Sequence, residues 1–294
     1  MIAKRLRVGA QAMTPFQRLS VHVALLFLCI PAILPFIWML STSLKVDTAI
    51  YGSTKGGSAT LTLASLIPNP IHPQNYPDAL KTIPFGTYLF NSVGLCATCV
   101  LGAVISSALV AYGFARIEFK GRNFWFMVMI STMALPGQVT MIPQFALFRL
   151  LGWYGTYLPL TVPAFTGAPF FIFLLTQFFR TIPLEMAESA RLDGANEWVI
   201  FSRIVLPLSK PALATCALFQ FLGTWNDFMG PLIYINNPMK YTLAYGLQQF
   251  YSSYDGKRTQ LMAAATLFTL PIIVLFFFAQ KTFIQGVATT GGRN

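Results

Sequence analysis

Six apolar blocks, each long enough to cross a lipid bilayer, restrict this chain's fold more than any other feature of its sequence. They fall at about 21–43, 85–114, 123–148, 157–179, 211–234 and 260–279. A helix needs roughly 20 apolar residues to cross the hydrocarbon layer. Inside that layer every backbone N–H and C=O must find its partner within the protein. The composition agrees: 55% of residues are hydrophobic and only 10% charged, with mean hydropathy +0.61. A soluble domain carries about 25% charged residues. The expected fold is an all-α integral membrane protein of six transmembrane helices.

The first block follows Lys4, Arg5, Arg7 and Arg18 and runs through Trp38 without a small-residue cleavage site. It is therefore expected as a retained first span (21–43) after a short N-terminal segment (1–20), not as a cleaved signal. Residues 44–84 read as a loosely ordered loop, because Pro68, Pro70, Pro73 and Pro77 favour an extended path. The core domain is expected over 85–281, with a tail at 282–294. In the second block Cys99, Ala103, Ser107 and Ala111 recur every four residues, a stripe of small residues that lets another helix approach closely. Pro136-Gly137 and Pro143 interrupt the third block, and Gly230-Pro231 should bend the far end of the fifth.

Charge sets the expected orientation. Seven of the 20 basic residues (Lys45, Lys55, Lys81, Arg149, Lys240, Lys257 and Arg258) fall on one side of a six-span topology. The others share the side of the two termini, which the positive-inside rule places in the cytoplasm. The formal charge of +11 is explained by this topology. No basic run exceeds Lys4-Arg5-Leu6-Arg7, so a nucleic-acid partner is not expected.

Little in the sequence could support catalysis. There is no GxxxxGK[ST] loop to cradle phosphates and no HExxH, and the two histidines, His22 and His72, are far apart. Cys96-Ala97-Thr98-Cys99 matches CxxC without a second ligand pair, inside an apolar block, and reads as packing. The candidate solute path comprises Asn91, Gln138, Gln144, Gln177, Gln220, Trp225, Asn226, Asp227 and Tyr234. Neutral amides beside aromatic faces suit an uncharged polyhydroxylated solute, although the same residues commonly bond helix to helix. Asp227 is the acidic residue expected within a span, near the outer interface, either as a hydrogen-bonded interface residue or as a solute contact.

Between the fourth and fifth blocks lies a stretch with a soluble protein's charge mix, 181–210. Pro183 suits a first helical turn, Gly194 a left-handed helix end, and Asn196 the cap of a second helix that stops before Pro207. A hairpin of this kind is a solvated connection or a docking surface.

The spacing within it is specific. Glu188-Ser189-Ala190, three residues, Gly194, nine residues, Ile204, one residue and Leu206-Pro207 resembles the EAA loop, E-A-A-x3-G-x9-I-x-L-P, with Ser189 where alanine is usual. That loop marks inner-membrane permease subunits of binding-protein-dependent ABC importers. Asn91-Ser92, Trp225-Asn226-Asp227-Phe228 with Pro231, and Phe283-Ile284-Gln285-Gly286 resemble the carbohydrate, MalG-like branch. The resemblance implies a type I importer bundle in a bacterial or archaeal cytoplasmic membrane, paired with a second, non-identical permease. It implies a cytoplasmic ATPase dimer, which binds the ATP and Mg, and an extracytoplasmic sugar-binding protein. This chain would bind no cofactor and catalyse nothing. Its coupling residues would be Glu188, Ser189, Ala190, Arg191, Asp193, Gly194, Ile204, Leu206 and Pro207. Two other readings remain: an importer permease for a non-sugar solute such as an amino acid, peptide or phosphate, or a self-sufficient secondary carrier.

Overall fold

The computed structural model describes residues 14–47, 66–253 and 258–291, with 251–253 and 281–291 as backbone alone. Lys4, Arg5, Arg7, Lys55, Lys257, Arg293, residues 48–65 of the 44–84 loop and the side chains of Phe283–Gly286 lie outside the described residues. The described residues contain helices and turns and no strand.

Four helical runs are long and apolar enough to cross a membrane: Pro15–Ser43, Phe85–Arg116, Leu158–Thr181 and Arg258–Gln280. Two further runs reach that length only as bent pairs, Arg122–Ala134 with Gly137–Leu150 (96°) and Glu197–Leu208 with Lys210–Trp225 (77°). In chain order the helices are α1 (Pro15–Ser43), α2 (Asn75–Thr82), α3 (Phe85–Arg116), α4 (Arg122–Ser131) and α5 (Gly137–Leu150). Next come α6 (Leu158–Thr161), α7 (Pro169–Thr181), α8 (Leu184–Leu192), α9 (Glu197–Ile200) and α10 (Leu206–Leu208). The last are α11 (Lys210–Trp225), α12 (Met229–Tyr234), α13 (Leu243–Ser253) and α14 (Arg258–Gly291).

The chain ends and breaks its helices for local reasons. Helix α1 starts at Pro15, upstream of its apolar block, because Thr14 and Gln17 close a capping box: the Thr14 hydroxyl accepts from Gln17 N, and Gln17 Oε1 accepts from Thr14 N at 3.0 Å. The 96° bend falls at Pro136, which holds the preceding Leu135 in an extended conformation. The fifth span is not continuous to a bend at Gly230-Pro231, as its sequence suggests. It stops at Trp225 and resumes at Met229. Pro231 cannot donate to the carbonyl four residues back, that of Asp227, and its ring crowds that carbonyl. The Asp227 carboxylate then accepts from Gly230 N at 2.9 Å and supports the new helix start.

Two compact units are present: residues 1–77 with 256–266, and 78–255 with 267–294. The first is knotted by buried Asn75, whose Nδ2 donates to Ser43 O (2.9 Å) and Lys45 O (2.7 Å). Within it Asp47 Oδ1 accepts from Thr259 Oγ1 at 2.9 Å and from Thr259 N at 3.2 Å, satisfying a donor in the first turn of α14.

The second unit is built on α3, which packs along α7, α11 and the 3₁₀ turn Val162–Thr166. Cys99, Ala103, Ser107 and Ala111 are all buried, as the small-residue stripe predicts. They bring the backbone of the interrupted fourth span within bonding reach. Ser107 Oγ accepts from Ala168 N at 3.0 Å, Ser106 Oγ donates toward Ala164 O at 3.3 Å, and Cys99 Sγ approaches Leu160 O at 3.2 Å. At Gly102 an added Cβ would lie 2.7 Å from the Phe165 ring.

Enlarging this stripe should therefore cost more than enlarging the opposite face. Ala103→Leu is expected to destabilise by about 1–3 kcal/mol through overpacking, and Ser107→Ala to lower stability by leaving the Ala168 N–H unpaired. Val110→Leu, on the exposed face, should change nothing. Thermal unfolding midpoints in one detergent check all three.

Candidate functional site

The stretch 181–210 folds as a helical hairpin whose turn is fixed by its own backbone. Leu, Glu, Met, Ala and Arg, all good helix formers, fill α8. Pro183 sits at the cap position, one residue before the first helical turn. The helix ends at Gly194, held at φ +83°. Gly194 N donates to Arg191 O (3.0 Å) and Ala195 N to Ala190 O (2.9 Å). This is the double closure of a Schellman motif, with Ala190 and Ala195 partly buried together. Asn196 Oδ1 then accepts from Val199 N at 2.9 Å and starts α9.

The second arm does not stop before Pro207, as its sequence suggests; it continues to Leu208. A π-turn over Phe201–Val205 makes this possible, with Leu206 N bonding to Phe201 O. The widened turn relieves the clash that the proline ring would make with a regular helix. The chain then turns by 77° into α11.

The two faces of the hairpin differ. Ala187, Ile200, Phe201 and Val205 are buried in one cluster with Phe171, Leu175, Phe179 and Cys216, and Leu206 packs against it. Glu185, Glu188, Ser189, Arg191, Asp193, Gly194 and Pro207 are exposed, and Ile204 is half-buried. Among the exposed charges stand large apolar side chains: Leu192 is 90% exposed, Trp198 64% and Leu184 60%. Exposed apolar groups rimmed by charge mark an interaction surface.

Polar contacts fasten the hairpin to the bundle. Glu197 Oε1 accepts from Arg191 Nε at 2.9 Å, and Glu197 Oε2 accepts from the Tyr112 hydroxyl of α3 at 2.6 Å. One turn further along α3, Arg116 Nη2 donates to Phe179 O and Ile182 O at 2.6 and 2.5 Å, holding the end of α7. The Arg191 hydrogen bond first, and then that of Tyr112, hold the Glu197 carboxyl below its ordinary range. Tyr112, Arg116 and Glu197 are absent from the motif pattern. Their signal is two polar side chains four apart at the end of an otherwise apolar block.

The candidate solute-path residues lie on several elements. Trp225, Asn226 and Asp227 sit together at the end of α11. Trp225 is buried, with Nε1 donating to Phe268 O at 3.3 Å, and exposed Asn226 donates from Nδ2 to Leu222 O at 2.8 Å. Asn91 Nδ2 donates to Met239 O (2.9 Å) and Tyr241 O (3.0 Å). Gln138 is exposed near the start of α5, and Gln177 is half-buried on α7. A separate apolar cleft of about 340 Å³ lies between α3, α11 and α14, lined by Val93, Cys96, Ala217, Phe221, Leu275 and their neighbours.

Two outcomes follow for the hairpin. At Gly194 a Cβ would meet open space, so the cost of substitution is backbone strain alone. Gly194→Val should lose about 1–2 kcal/mol of local stability, the left-handed penalty, and Gly194→Asn much less, as hydrogen exchange of the 184–200 amides would show. The depressed Glu197 carboxyl contributes stability in full above its unfolded value of 4.5, and loses it as pH falls through the lower folded value. The wild type should therefore melt above Glu197→Gln at neutral pH, with the gap closing below pH 4.5.

Comparison with known proteins identifies relatives of this chain. Residues 102–289 match the family model described as "Binding-protein-dependent transport system inner membrane component". The chain is 35% identical to the arabinooligosaccharides transport system permease protein AraQ of Halalkalibacterium halodurans, over 71% of this chain and 74% of AraQ. It is 30% identical to the diacetylchitobiose uptake system permease protein NgcG of Streptomyces coelicolor, over 97% of this chain and 92% of NgcG. Its fold is shared with a chain from the crystal structure of a bacterial ABC transporter that imports the acidic polysaccharide alginate. That likeness has a TM-score of 0.78 at 23% identity, over 93% of this chain and all of the other. The hairpin lies wholly inside the matched region, and the chain belongs to the family of binding-protein-dependent transport system inner membrane components, the permease subunits of ABC importers.

Proposed function

We propose that this chain is the non-catalytic permease subunit of an importer for a carbohydrate. It forms part of the translocation path in a cytoplasmic membrane together with a second, non-identical permease. The observation that carries this reading is the hairpin: a turn fixed by its own hydrogen bonds, an inner face in the core, and an outer face of charge and exposed Leu192 and Trp198. Such a surface suits a protein partner that pushes on it. In this reading that partner is an ATPase dimer that binds the ATP and Mg. Glu188 meets its basic groups and Leu192 fills an apolar hollow. An extracytoplasmic binding protein delivers the solute at the opposite face. The carbohydrate assignment draws on AraQ and NgcG, whose names carry arabinooligosaccharides and diacetylchitobiose. Gln138, exposed on α5, and half-buried Gln177 are neutral amides of the kind that suit an uncharged polyhydroxylated solute.

Co-purification tests the reading. The ATPase should be retained by the wild type and lost on Glu188→Lys, Leu192→Asp or Gly194→Pro, with the membrane bundle still folded. Uptake by the purified chain alone, driven by an ion gradient, would overturn it. A thermal-shift screen of the binding protein against sugars and non-sugars checks the solute class.

A further inference from the structure

We infer that α3 is the rod that carries displacement of the hairpin to the opposite end of the bundle, with polar joints at both ends. The inference rests on reading the hairpin as a docking surface. A hairpin that is pushed does useful work only if its motion is passed on. Apolar contacts resist separation but allow sliding, whereas hydrogen bonds are directional and fix position.

The joints are specific. At the hairpin end, Tyr112 and Arg116 lie one turn apart on the same face of α3. Tyr112 holds Glu197 at 2.6 Å, and Arg116 holds the carbonyls of Phe179 and Ile182. At the other end, Asn91 Nδ2 holds the carbonyls of Met239 and Tyr241, and Ser92 Oγ accepts from Leu243 N at 2.8 Å. Ser92 is itself buried. The segment held there leads directly into α13, and Gly246 of α13 lies so close to Tyr88 of α3 that a Cβ would meet its ring at 2.6 Å. From Ser92 to Tyr112 the helix rises about 30 Å, the thickness of the hydrocarbon layer.

Stiffness singles out α3. It has no proline between Phe85 and Arg116 and runs unbroken. The neighbouring runs are interrupted at Pro136, at Gly167 and at Ser209. A load applied to Glu197 therefore reaches 239–243 along one rigid element. The routes through the third, fourth and fifth runs pass through a break.

The test uses the assembled importer in lipid vesicles and reads solute taken up per ATP hydrolysed. Tyr112→Phe removes only the hydroxyl, and Ser92→Ala only the acceptor for Leu243 N. Each is expected to lower the ratio at least threefold, with the ATPase still co-purifying. Because the joints act in series, the double variant should be no worse than the worse single. An unchanged ratio in both singles, uptake and hydrolysis falling in proportion, or losses that multiply in the double would overturn the inference. If Tyr112→Phe does not assemble, Glu197→Ala opens the same joint from the exposed side and is held to the same outcomes. A wild-type complex that holds no ATPase would instead refute the docking reading. A coupled wild type whose variants stay equally coupled would refute only the rod.

Discussion

Close approach of backbones along one face of α3 is the constraint from which the second unit follows. Cys99, Ala103, Ser107 and Ala111 are small enough for the fourth span to come within bonding distance of α3. That span is itself interrupted between Leu158–Thr161 and Pro169–Thr181, so its backbone carries groups that a continuous helix would have paired. In hydrocarbon no water is at hand to satisfy them. The Ser107 hydroxyl takes the Ala168 N–H, and the Cys99 thiol lies on the Leu160 carbonyl. A larger side chain on the stripe would therefore do more than crowd a neighbour. It would separate the break from the groups that make it tolerable.

The same logic governs the other interruptions. Pro136, Pro231 and Pro207 each remove a hydrogen bond, and each is matched by a local device: extended Leu135 before Pro136, the Asp227 carboxylate before Pro231, the π-turn before Pro207. Asp227 illustrates how a charge-bearing residue in an apolar block can be structural. Its carboxylate supports a helix start that Pro231 makes necessary. Helix α3, with no proline, needs no such device.

How far the sequence alone reveals this depends on the range of each interaction. Block lengths, the small-residue stripe, the Gly194 turn and the Asn196 cap are local, and their chemistry can be read from neighbouring residues. The break at 226–228 is legible in Pro231, which removes the bond to the residue four before it, although Gly230-Pro231 by itself suggests a bend further along. Pro207 does not stop the helix, because the π-turn over Phe201–Val205 accommodates its ring, and that turn follows from how Phe201 and Val205 are buried and not from residue type. Tyr112 and Arg116 could not be assigned from spacing at all. Their partners lie 85 and 63 residues away in the chain and meet them only once α3, α7 and the hairpin have packed. Amides at long separation announce polarity, not direction, and Asn91 and Asn226 turn their donors to the chain's own carbonyls.

Those internal bonds bear on how the labour of transport is divided. Asn91 clamps the segment before α13, and Trp225 buries its ring against Phe221 and Phe268. The cleft between α3, α11 and α14 is lined by alanine, valine, leucine, cysteine and phenylalanine, with no amide or hydroxyl to meet a polyhydroxylated solute. A sugar needs hydrogen-bond partners to offset the loss of its water. Asn91 and Asn226, by contrast, spend their donors on holding a loop and a helix end in place. To such a solute that cleft offers apolar walls and no hydrogen-bond partner from this chain.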